Sequence, residues 1–249
     1  MKQPPQRGIK YCHIMQSKYP PNTIWHWCGQ DDEATYQLNL ASRAELLRKN
    51  GWWDHGPIDY HFNSAGFRSD EFDPGPGILY LGCSVTLGIG LPHNDTWPRL
   101  VSDALGGACW NLGLGGASMD TCFRLAEHWI PRLRPTRVML MSTRPARMEL
   151  IDAEGTPRFY TVHDHASPVA REWLRHEENA RLNHLKNRWA IQHICNLNDI
   201  PLHEWSIDCL IDLKEAKSSF ARDLAHPGKE ANKMFAERVL REIDAHGVD

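Results

Sequence analysis

The sequence has no apolar run near the ~20 residues that a membrane-spanning helix needs. Its first thirty residues also lack the apolar core of a secretory signal, because proline and charged residues interrupt them. These two absences predict a cytoplasmic protein that has no membrane partner.

An excess of charge of one sign is also missing. The 249 residues include 28 Lys and Arg and 31 Asp and Glu, which gives a formal net charge of -3. Nucleic acids and anionic membranes bind to a concentrated basic face. We therefore expect neither of them as the main partner.

Closely paired cysteines are absent as well. The seven cysteines are an odd number and form no Cys-x-x-Cys pair, which favours reduced thiols over a disulfide framework. The nearest set of metal ligands flanks a Pro-Pro loop and lacks usual zinc spacing; it comprises Cys12, His13, His26 and Cys28. His163 and His165 are too few ligands for a site. We expect no metal and no cofactor.

What is present is the composition of a soluble globular protein, with 41% hydrophobic and 24% charged residues. The length suits one well-buried core. A helical stripe covers residues 36–50, and Pro and Gly then interrupt residues 72–77. We predict an N-terminal arm and helix over residues 1–72, packed on a main domain over residues 73–249.

Short apolar runs alternate with segments of helical period in the main domain. The predicted strands cover residues 78–81, 108–112, 137–141 and 200–205. The predicted helices cover residues 94–105, 118–130, 169–198 and 229–243, and Leu182 and Trp189 belong to the apolar side of the third. A loop or short hairpin is expected over 152–167. This order predicts an α/β fold with a doubly wound parallel sheet and helices on both faces.

The first predicted strand stops on Gly82, Cys83 and Ser84. Ligands bind at the carboxyl ends of the strands in an open parallel sheet, so the Ser84 hydroxyl is a candidate nucleophile. A serine after a buried strand is also a common helix N-cap, and the residue alone does not decide between the two roles.

Asp223 and His226 lie three residues apart in a loop just before the last predicted helix. A nucleophilic serine needs a base, and the base needs a carboxylate to orient it. One loop with the Asp-x-x-His pattern supplies both. Taken separately, Asp223 is equally well a turn residue and His226 a surface side chain.

A third segment, Asn111 to Ser118, is rich in glycine and ends the second predicted strand. Glycines let the backbone approach a ligand, so one N–H group there could donate to an oxyanion. Tight turns need glycine too, and this segment alone is a weak signal.

In order, these three segments resemble the motifs of the SGNH hydrolases, also called GDSL esterases and lipases. Gly82-Cys83-Ser84 is similar to the Gly-Asp-Ser block, Gly116 to the oxyanion glycine, and Asp223 and His226 to the Asp-x-x-His block. Residues 63–68, which read Asn-Ser-Ala-Gly-Phe-Arg, resemble an element that precedes the first block in many bacterial members. The resemblance covers residues 63–245.

The resemblance implies a flavodoxin-like, three-layer α/β/α sandwich and ester hydrolysis through an acyl-enzyme. Ser84 would be the nucleophile, His226 the base and Asp223 its orienting carboxylate. The N–H groups of Ser84 and Gly116 would bind the oxyanion.

Two positions depart from the family pattern. Cys83 stands in place of the Asp of the first block, and the third strand ends in Ser142-Thr143-Arg144-Pro145 without the family's Asn, which completes the oxyanion hole. Thr143 or Arg144 could replace this Asn, and Arg144 could alternatively recognise an anionic group of the substrate. As another alternative, Arg144 and Arg147 pair with the acidic residues that follow them, Glu149, Asp152 or Glu154.

The sequence therefore predicts a serine esterase whose substrate is a small-molecule or glycan ester, for example an O-acetylated carbohydrate, with Arg144 and Thr143 as substrate-binding residues. A binding or structural protein with weakened catalysis and an O-acyltransferase are the alternatives. Four tryptophans before the core either stack on a ligand or anchor the arm; they are Trp25, Trp27, Trp52 and Trp53.

Overall fold

The N-terminal part of the chain folds into a small sheet and two short helices. The computed structural model describes residues 17–161, 167–214 and 217–246, so Cys12, His13, His163 and His165 lie outside the described residues. The elements of this part are β1 (Thr23–Trp25), α1 (Glu33–Ser42), α2 (Ala44–Lys49) and β2 (Tyr60–Phe62), and β1 pairs antiparallel with β2.

The helical stripe predicted over residues 36–50 is two helices. The carboxylate of Asp32 accepts a hydrogen bond from the Thr35 N–H at 2.6 Å and begins α1 three residues before the predicted start. Arg43 has φ -136° and ψ 29°, which separates α1 from α2.

The main domain alternates strands and helices in the predicted order. Its first half consists of β3 (Gly77–Leu81), α3 (Ser84–Leu87), a 3₁₀ turn (His93–Asp95), α4 (Trp97–Leu105), β4 (Ala108–Asn111), α5 (Met119–Leu133) and β5 (Arg137–Ser142). Its second half consists of β6 (Arg147–Ile151), β7 (Pro157–Thr161), α6 (Pro168–Arg175), α7 (Glu177–Leu197), β8 (Leu202–Ser206), α8 (Asp208–Ile211) and α9 (Lys229–His246). The expected hairpin is β6–β7, and it starts five residues earlier than predicted.

The central sheet has the order β4-β3-β5-β8 in the described residues, and all of its pairs are parallel. The chain moves to one side of β3 through α4 and returns across it through α5, so right-handed crossovers put these two helices on opposite faces. On those faces α4 packs against α9 and α5 against α7. The predicted α/β class, with a doubly wound parallel sheet in three layers, is confirmed.

The long helix predicted over 169–198 is wrong in two respects. It breaks at His176, which has ψ 99°, into α6 and α7. The face of α7 that is buried contains Ala180, Ile191 and Cys195, whereas Leu182 and Trp189 are 56% and 67% exposed. The apolar side was predicted wrongly because the break at His176 makes α6 and α7 separate helices, so one helical period does not run through both.

The N-terminal part shares the core of the main domain. Leu47, Trp52 and Ile58 are at most 1% exposed and belong to the same apolar cluster as the strand β3. In the part of the chain that the structure describes, every helix is too short or too polar to span a bilayer.

Candidate active site

Ser84 lies at the point where the strand order changes direction. β3 has β4 on one side and β5 on the other, and ligands bind at such a switch point beyond the carboxyl ends of the strands. Ser84 is the first residue of α3, and its side chain is half-buried. The chain turns sharply there, because the N–H groups of Thr86 and Leu87 both donate to the Cys83 carbonyl, at 3.0 and 2.9 Å.

Asp223 and His226 form a compact turn before α9. One carboxylate oxygen of Asp223, Oδ1, accepts the backbone N–H groups of Ala225 and His226, each at 3.0 Å. Leu224 has φ +54°, a left-handed conformation that costs about 1 kcal/mol in a residue with a side chain. The strained turn directs both side chains of the Asp-x-x-His pattern to one place.

The three predicted site residues are in contact. His226 Nδ1 lies 2.5 Å from Asp223 Oδ2, and His226 Nε2 lies 2.9 Å from Ser84 Oγ. An ionised carboxylate can only accept hydrogen bonds, so Nδ1 carries the proton and Nε2 is free to accept from the hydroxyl. This arrangement has the geometry that a serine nucleophile and its base require.

The environment of Asp223 keeps it ionised. Its side chain is fully buried, and burial, the largest single influence, raises the pKa. The hydrogen bonds from the His226 side chain and from the backbone of His226 and Ala225 together outweigh burial, so the pKa of Asp223 is lower than its ordinary value.

The glycine-rich segment lies against α3. The Asn111 side chain donates to the Thr86 carbonyl at 2.8 Å and accepts the Gly113 N–H at 2.9 Å. A Cβ on Gly113 would lie 2.6 Å from the Leu87 nitrogen, so only glycine fits there. Asn111 thus fixes the distance between the glycine-rich segment and α3, a role that the sequence did not indicate.

Gly116 has φ +81°, a conformation that favours glycine. Within the described ranges, neither its N–H nor that of Ser84 donates to a protein acceptor. Both groups are therefore available to an oxyanion, but their predicted role stays a prediction.

Cys83 is completely buried, and its sulfur is 4.0 Å from Ser84 Oγ. The six cysteines among the described residues are free thiols. Burial raises the pKa of Cys109 to about 12 and of Cys195 to about 11. No group of three or more potential metal ligands occurs among the described residues.

Ser84 and His226 open into a cavity of about 430 Å³. Its lining contains both apolar and charged residues. The apolar residues are Val85, Ile207, Ile211, Phe220, Ala225 and Pro227, and the charged ones are Arg144, Arg147, Asp212 and Lys217.

Arg144 and Thr143 follow β5 but face different surroundings. Arg144 lines the cavity of Ser84 and pairs with Asp208 at 3.5 Å. Thr143 is 2% exposed and lines the neighbouring cavity, on which Arg144 also borders. Of the acidic partners considered for Arg144, Glu149 instead binds Arg124 and Asp152 binds Arg158.

The N-terminal part reaches the site through a residue that the sequence analysis missed. Asp31 is 1% exposed, and its carboxylate accepts two hydrogen bonds from Arg222, at 2.8 and 2.7 Å. Arg222 directly precedes Asp223. The Tyr60 hydroxyl donates to Asp31 at 2.6 Å and accepts the Gly90 N–H at 2.7 Å. Asp31 thus connects the segment after Ser84 with the turn of Asp223 and His226.

Arg68 holds the same segment from another direction. Its guanidinium is buried over the Tyr60 ring and donates to the carbonyls of Gly88 and Leu91, each at 2.7 Å. The element at residues 63–68 therefore has a structural role, because its last residue, Arg68, binds the segment that follows α3.

Two tryptophans of the N-terminal part, Trp52 and Trp27, contact the main domain and act as anchors. Trp52 donates its indole N–H to the Phe220 carbonyl at 2.7 Å, and the Arg222 guanidinium lies 4.1 Å from the Trp27 ring centroid. All four tryptophans of the N-terminal part are among the described residues, and none lines the cavity of Ser84.

No protein-family model matches the sequence, and no curated protein matches it. Solved structures that the chain is similar to include a psychrotrophic esterase from Pseudoalteromonas, at 16% identity and a TM-score of 0.39, with 70% of this chain and 100% of that one covered.

Two others are an acetyl xylan esterase from Butyrivibrio proteoclasticus (9% identity, TM-score 0.36, 78% and 68% covered) and a GDSL-like lipase from Bacteroides thetaiotaomicron (11%, 0.32, 86% and 100%). Esterases, lipases and acylhydrolases thus recur among the structural matches. At these identities and scores the likenesses do not assign an activity, which rests on the side chains of the site.

Proposed function

We propose that the protein is a serine esterase of the SGNH type that hydrolyses its substrate through an acyl-enzyme. The observation that carries this proposal is the chain of hydrogen bonds from Asp223 through His226 to Ser84, at 2.5 and 2.9 Å. A structural serine at a helix N-terminus would not need a histidine at its hydroxyl or a buried carboxylate behind that histidine.

In the first half of the reaction, Ser84 Oγ attacks the ester carbonyl carbon while His226 Nε2 takes the hydroxyl proton. The carbonyl oxygen becomes an oxyanion, which the N–H groups of Ser84 and Gly116 bind. When the bond to the alcohol breaks, His226 returns the proton to the leaving oxygen, and the acyl group stays on Ser84.

In the second half, His226 takes a proton from water, whose oxygen attacks the acyl carbon. The bond to Ser84 Oγ then breaks, and the proton returns to that oxygen. Asp223 holds the imidazole in one tautomer and stabilises its positive charge in both halves, without itself taking the proton.

Size and lining of the cavity favour a small ester. An acyl group such as acetyl would lie against the apolar residues of the lining, and a polar alcohol such as a sugar would extend toward the opening. Arg144 is proposed to contact the substrate, whereas the predicted contact from Thr143 stays a prediction because that residue lines the neighbouring cavity. A cytoplasmic location also stays a prediction. The oxyanion hole of the family has a third donor, the side chain of Asn, whereas the one proposed here has the two backbone N–H groups. We therefore expect slow turnover, because the loss of one donor costs ~10²–10³ in kcat.

A fluorophosphonate probe tests the mechanism directly, since it loses fluoride to an activated serine and stays attached. Peptide mass spectrometry should find the label on Ser84. Ser84→Ala should abolish labelling and hydrolysis of p-nitrophenyl acetate, and His226→Ala should lower both by several powers of ten. Ser42→Ala, which removes an exposed hydroxyl at the end of α1, is the control and should behave like wild type.

Labelling elsewhere, or turnover that survives Ser84→Ala, would leave a binding or structural role as the better explanation. Ester products that form only with an added alcohol acceptor would instead identify an acyltransferase with the same nucleophile.

A further inference from the structure

The cavity of Ser84 concentrates positive charge in a protein that is slightly acidic. Arg144, Arg147 and Lys217 line it, against one carboxylate from Asp212, whereas the whole chain has a net charge of -3. Solvent-exposed charges of one sign in a concave site raise the local concentration of a ligand of the opposite sign.

Arg147 is the cation whose surroundings argue most strongly for a ligand. Its side chain is half-buried on β6, and its guanidinium donates to the Ala117 carbonyl at 3.4 Å. Within the described residues, no carboxylate lies within ion-pair distance of it. A guanidinium has five N–H donors, so this contact leaves most of them available to an oxygen-rich group.

Arg144 is paired, but only weakly. Its partner Asp208 is 3.5 Å away, and the two side chains are 57% and 52% exposed. Water screens such a pair, so a substrate oxyanion in the cavity can compete for the guanidinium. Arginine suits this exchange because its planar fork matches the oxygens of a carboxylate or phosphate.

We infer that the substrate is an ester that also carries an anionic group close to the scissile bond. Arg147, with Arg144 and Lys217, binds this group. The inference rests on the proposed function, because it places the ester carbonyl at Ser84. The apolar residues of the lining can contact the short chain that joins the two groups. A carboxylate, a phosphate and a sulfate share the chemistry that these cations recognise.

Matched pairs of esters test the inference. On the acyl side, p-nitrophenyl hydrogen succinate is compared with its neutral methyl ester. On the alcohol side, p-acetoxybenzoate is compared with methyl p-acetoxybenzoate. We expect kcat/KM of the acidic member to exceed that of its neutral partner by about tenfold or more in at least one pair. Salt should reduce this ratio by screening.

Arg147→Gln should bring the ratio of acidic to neutral kcat/KM close to one. Arg158→Gln is the matched control: it removes an arginine of the same hairpin whose side chain is 60% exposed, pairs with Asp152 and does not line the cavity. It should leave the ratio as in wild type. Competitive inhibition by inorganic phosphate, compared with acetate and sulfate, identifies which oxyanion binds best.

Ratios near one in both pairs, with Ser84 still labelled by the fluorophosphonate, would overturn the inference while leaving the esterase proposal intact. An unchanged ratio in Arg147→Gln would overturn the assignment to this cavity. Failure of the proposed function has a different signature, because Ser84 would then not be labelled at all.

Discussion

Two arginine–carboxylate pairs among the described residues are almost completely buried, and they join different parts of the fold. Arg222 and Asp31 are 2% and 1% exposed, and Arg124 and Glu149 are 7% and 4% exposed. The first pair links the N-terminal part to the turn of Asp223. The second links α5 to the β6–β7 hairpin.

The two pairs are similarly buried but have different roles. Each pair pays a desolvation cost that a well-packed apolar pair would avoid, so neither is explained by stability alone. Only Arg222 is next to a residue of the candidate site, and only Asp31 is shared with a tyrosine that contacts the segment after Ser84. We infer that Asp31 is a positioning residue, whereas Glu149 serves to hold the hairpin.

Substitutions that break one pair or the other should have the largest effects on stability. Asp31→Ala and Glu149→Ala each leave a buried guanidinium without its carboxylate, and each should cost about 3–5 kcal/mol of the free energy of unfolding. Only Asp31→Ala should also lower kcat/KM of the folded enzyme for a neutral ester such as p-nitrophenyl acetate, by about 10²-fold, because displacement of Asp223 misplaces His226. Urea unfolding and kinetics normalised to fluorophosphonate-titrated sites measure the two quantities.

Equal losses of activity in the two variants would contradict the distinction. If Asp31→Ala does not fold, Asp31→Asn retains the shape and removes the charge. That variant should fold, and its kcat should fall while KM changes little.

A smaller effect should come from the tyrosine hydroxyl in the network. Tyr60→Phe removes the acceptor of the Gly90 N–H and a donor to Asp31, and should cost about 1–3 kcal/mol. Tyr80→Phe is the matched control, because the buried Tyr80 hydroxyl bonds Ser102 at 2.8 Å, away from the cavity. Both variants should lose stability in urea, but only Tyr60→Phe should lower kcat several-fold; a parallel loss in Tyr80→Phe would show a general effect of packing.

The response to acid should distinguish Asp223 from an exposed carboxylate. The pKa of Asp223 in the folded protein is lower than its ordinary value of about 3.9. Its ionised form therefore stabilises the fold above about pH 4, and this contribution is lost as the pH falls through the folded pKa.

Asp223→Asn should accordingly flatten the dependence of unfolding free energy on pH below about pH 4. The pKa of Asp152 is also lowered, chiefly by the Thr156 N–H, but that residue lies on the exposed hairpin turn. Asp152→Asn should change the dependence less. Urea titrations at several acidic pH values decide this, and equal flattening in the two variants would contradict the larger effect expected of hydrogen bonds that water does not screen.

The smallest change in stability should come from the exposed pair at the cavity. Asp208→Asn removes the partner of Arg144 and should cost no more than ~1 kcal/mol. Because it frees the guanidinium, it should lower KM for the preferred acidic ester. A thermal unfolding curve and one substrate titration suffice, and a higher KM would contradict the assigned role of Arg144.

The sequence was sufficient for the central sheet because its strands are short, β3, β4 and β5 are mainly apolar, and clear helical periods separate them. It was also sufficient for Ser84, Asp223 and His226, since each lies in a local pattern that reports chemistry. Placement of these residues in one site was what the resemblance to the SGNH hydrolases implied.

Asp31 and Tyr60 could not be found in the same way. Their partners Arg222 and Gly90 are distant in sequence, and a single buried carboxylate has no periodic pattern around it. Two signals were present without being interpretable: Arg222 adjoins Asp223, and Arg68 ends the element at residues 63–68. The break at His176 was hidden for a different reason, because both flanking segments have good helical composition.

The bond between Arg222 and Asp31 closes a loop of 191 residues. Contacts that close such long loops form late, since the chain loses entropy before the contact repays it. In a refolding experiment the helices and the sheet should therefore return before the serine becomes reactive. The rate at which labelling by the fluorophosphonate recovers then reports the last step of folding. Substitution of Asp31 should slow this recovery, while the helical circular dichroism signal recovers at its usual rate.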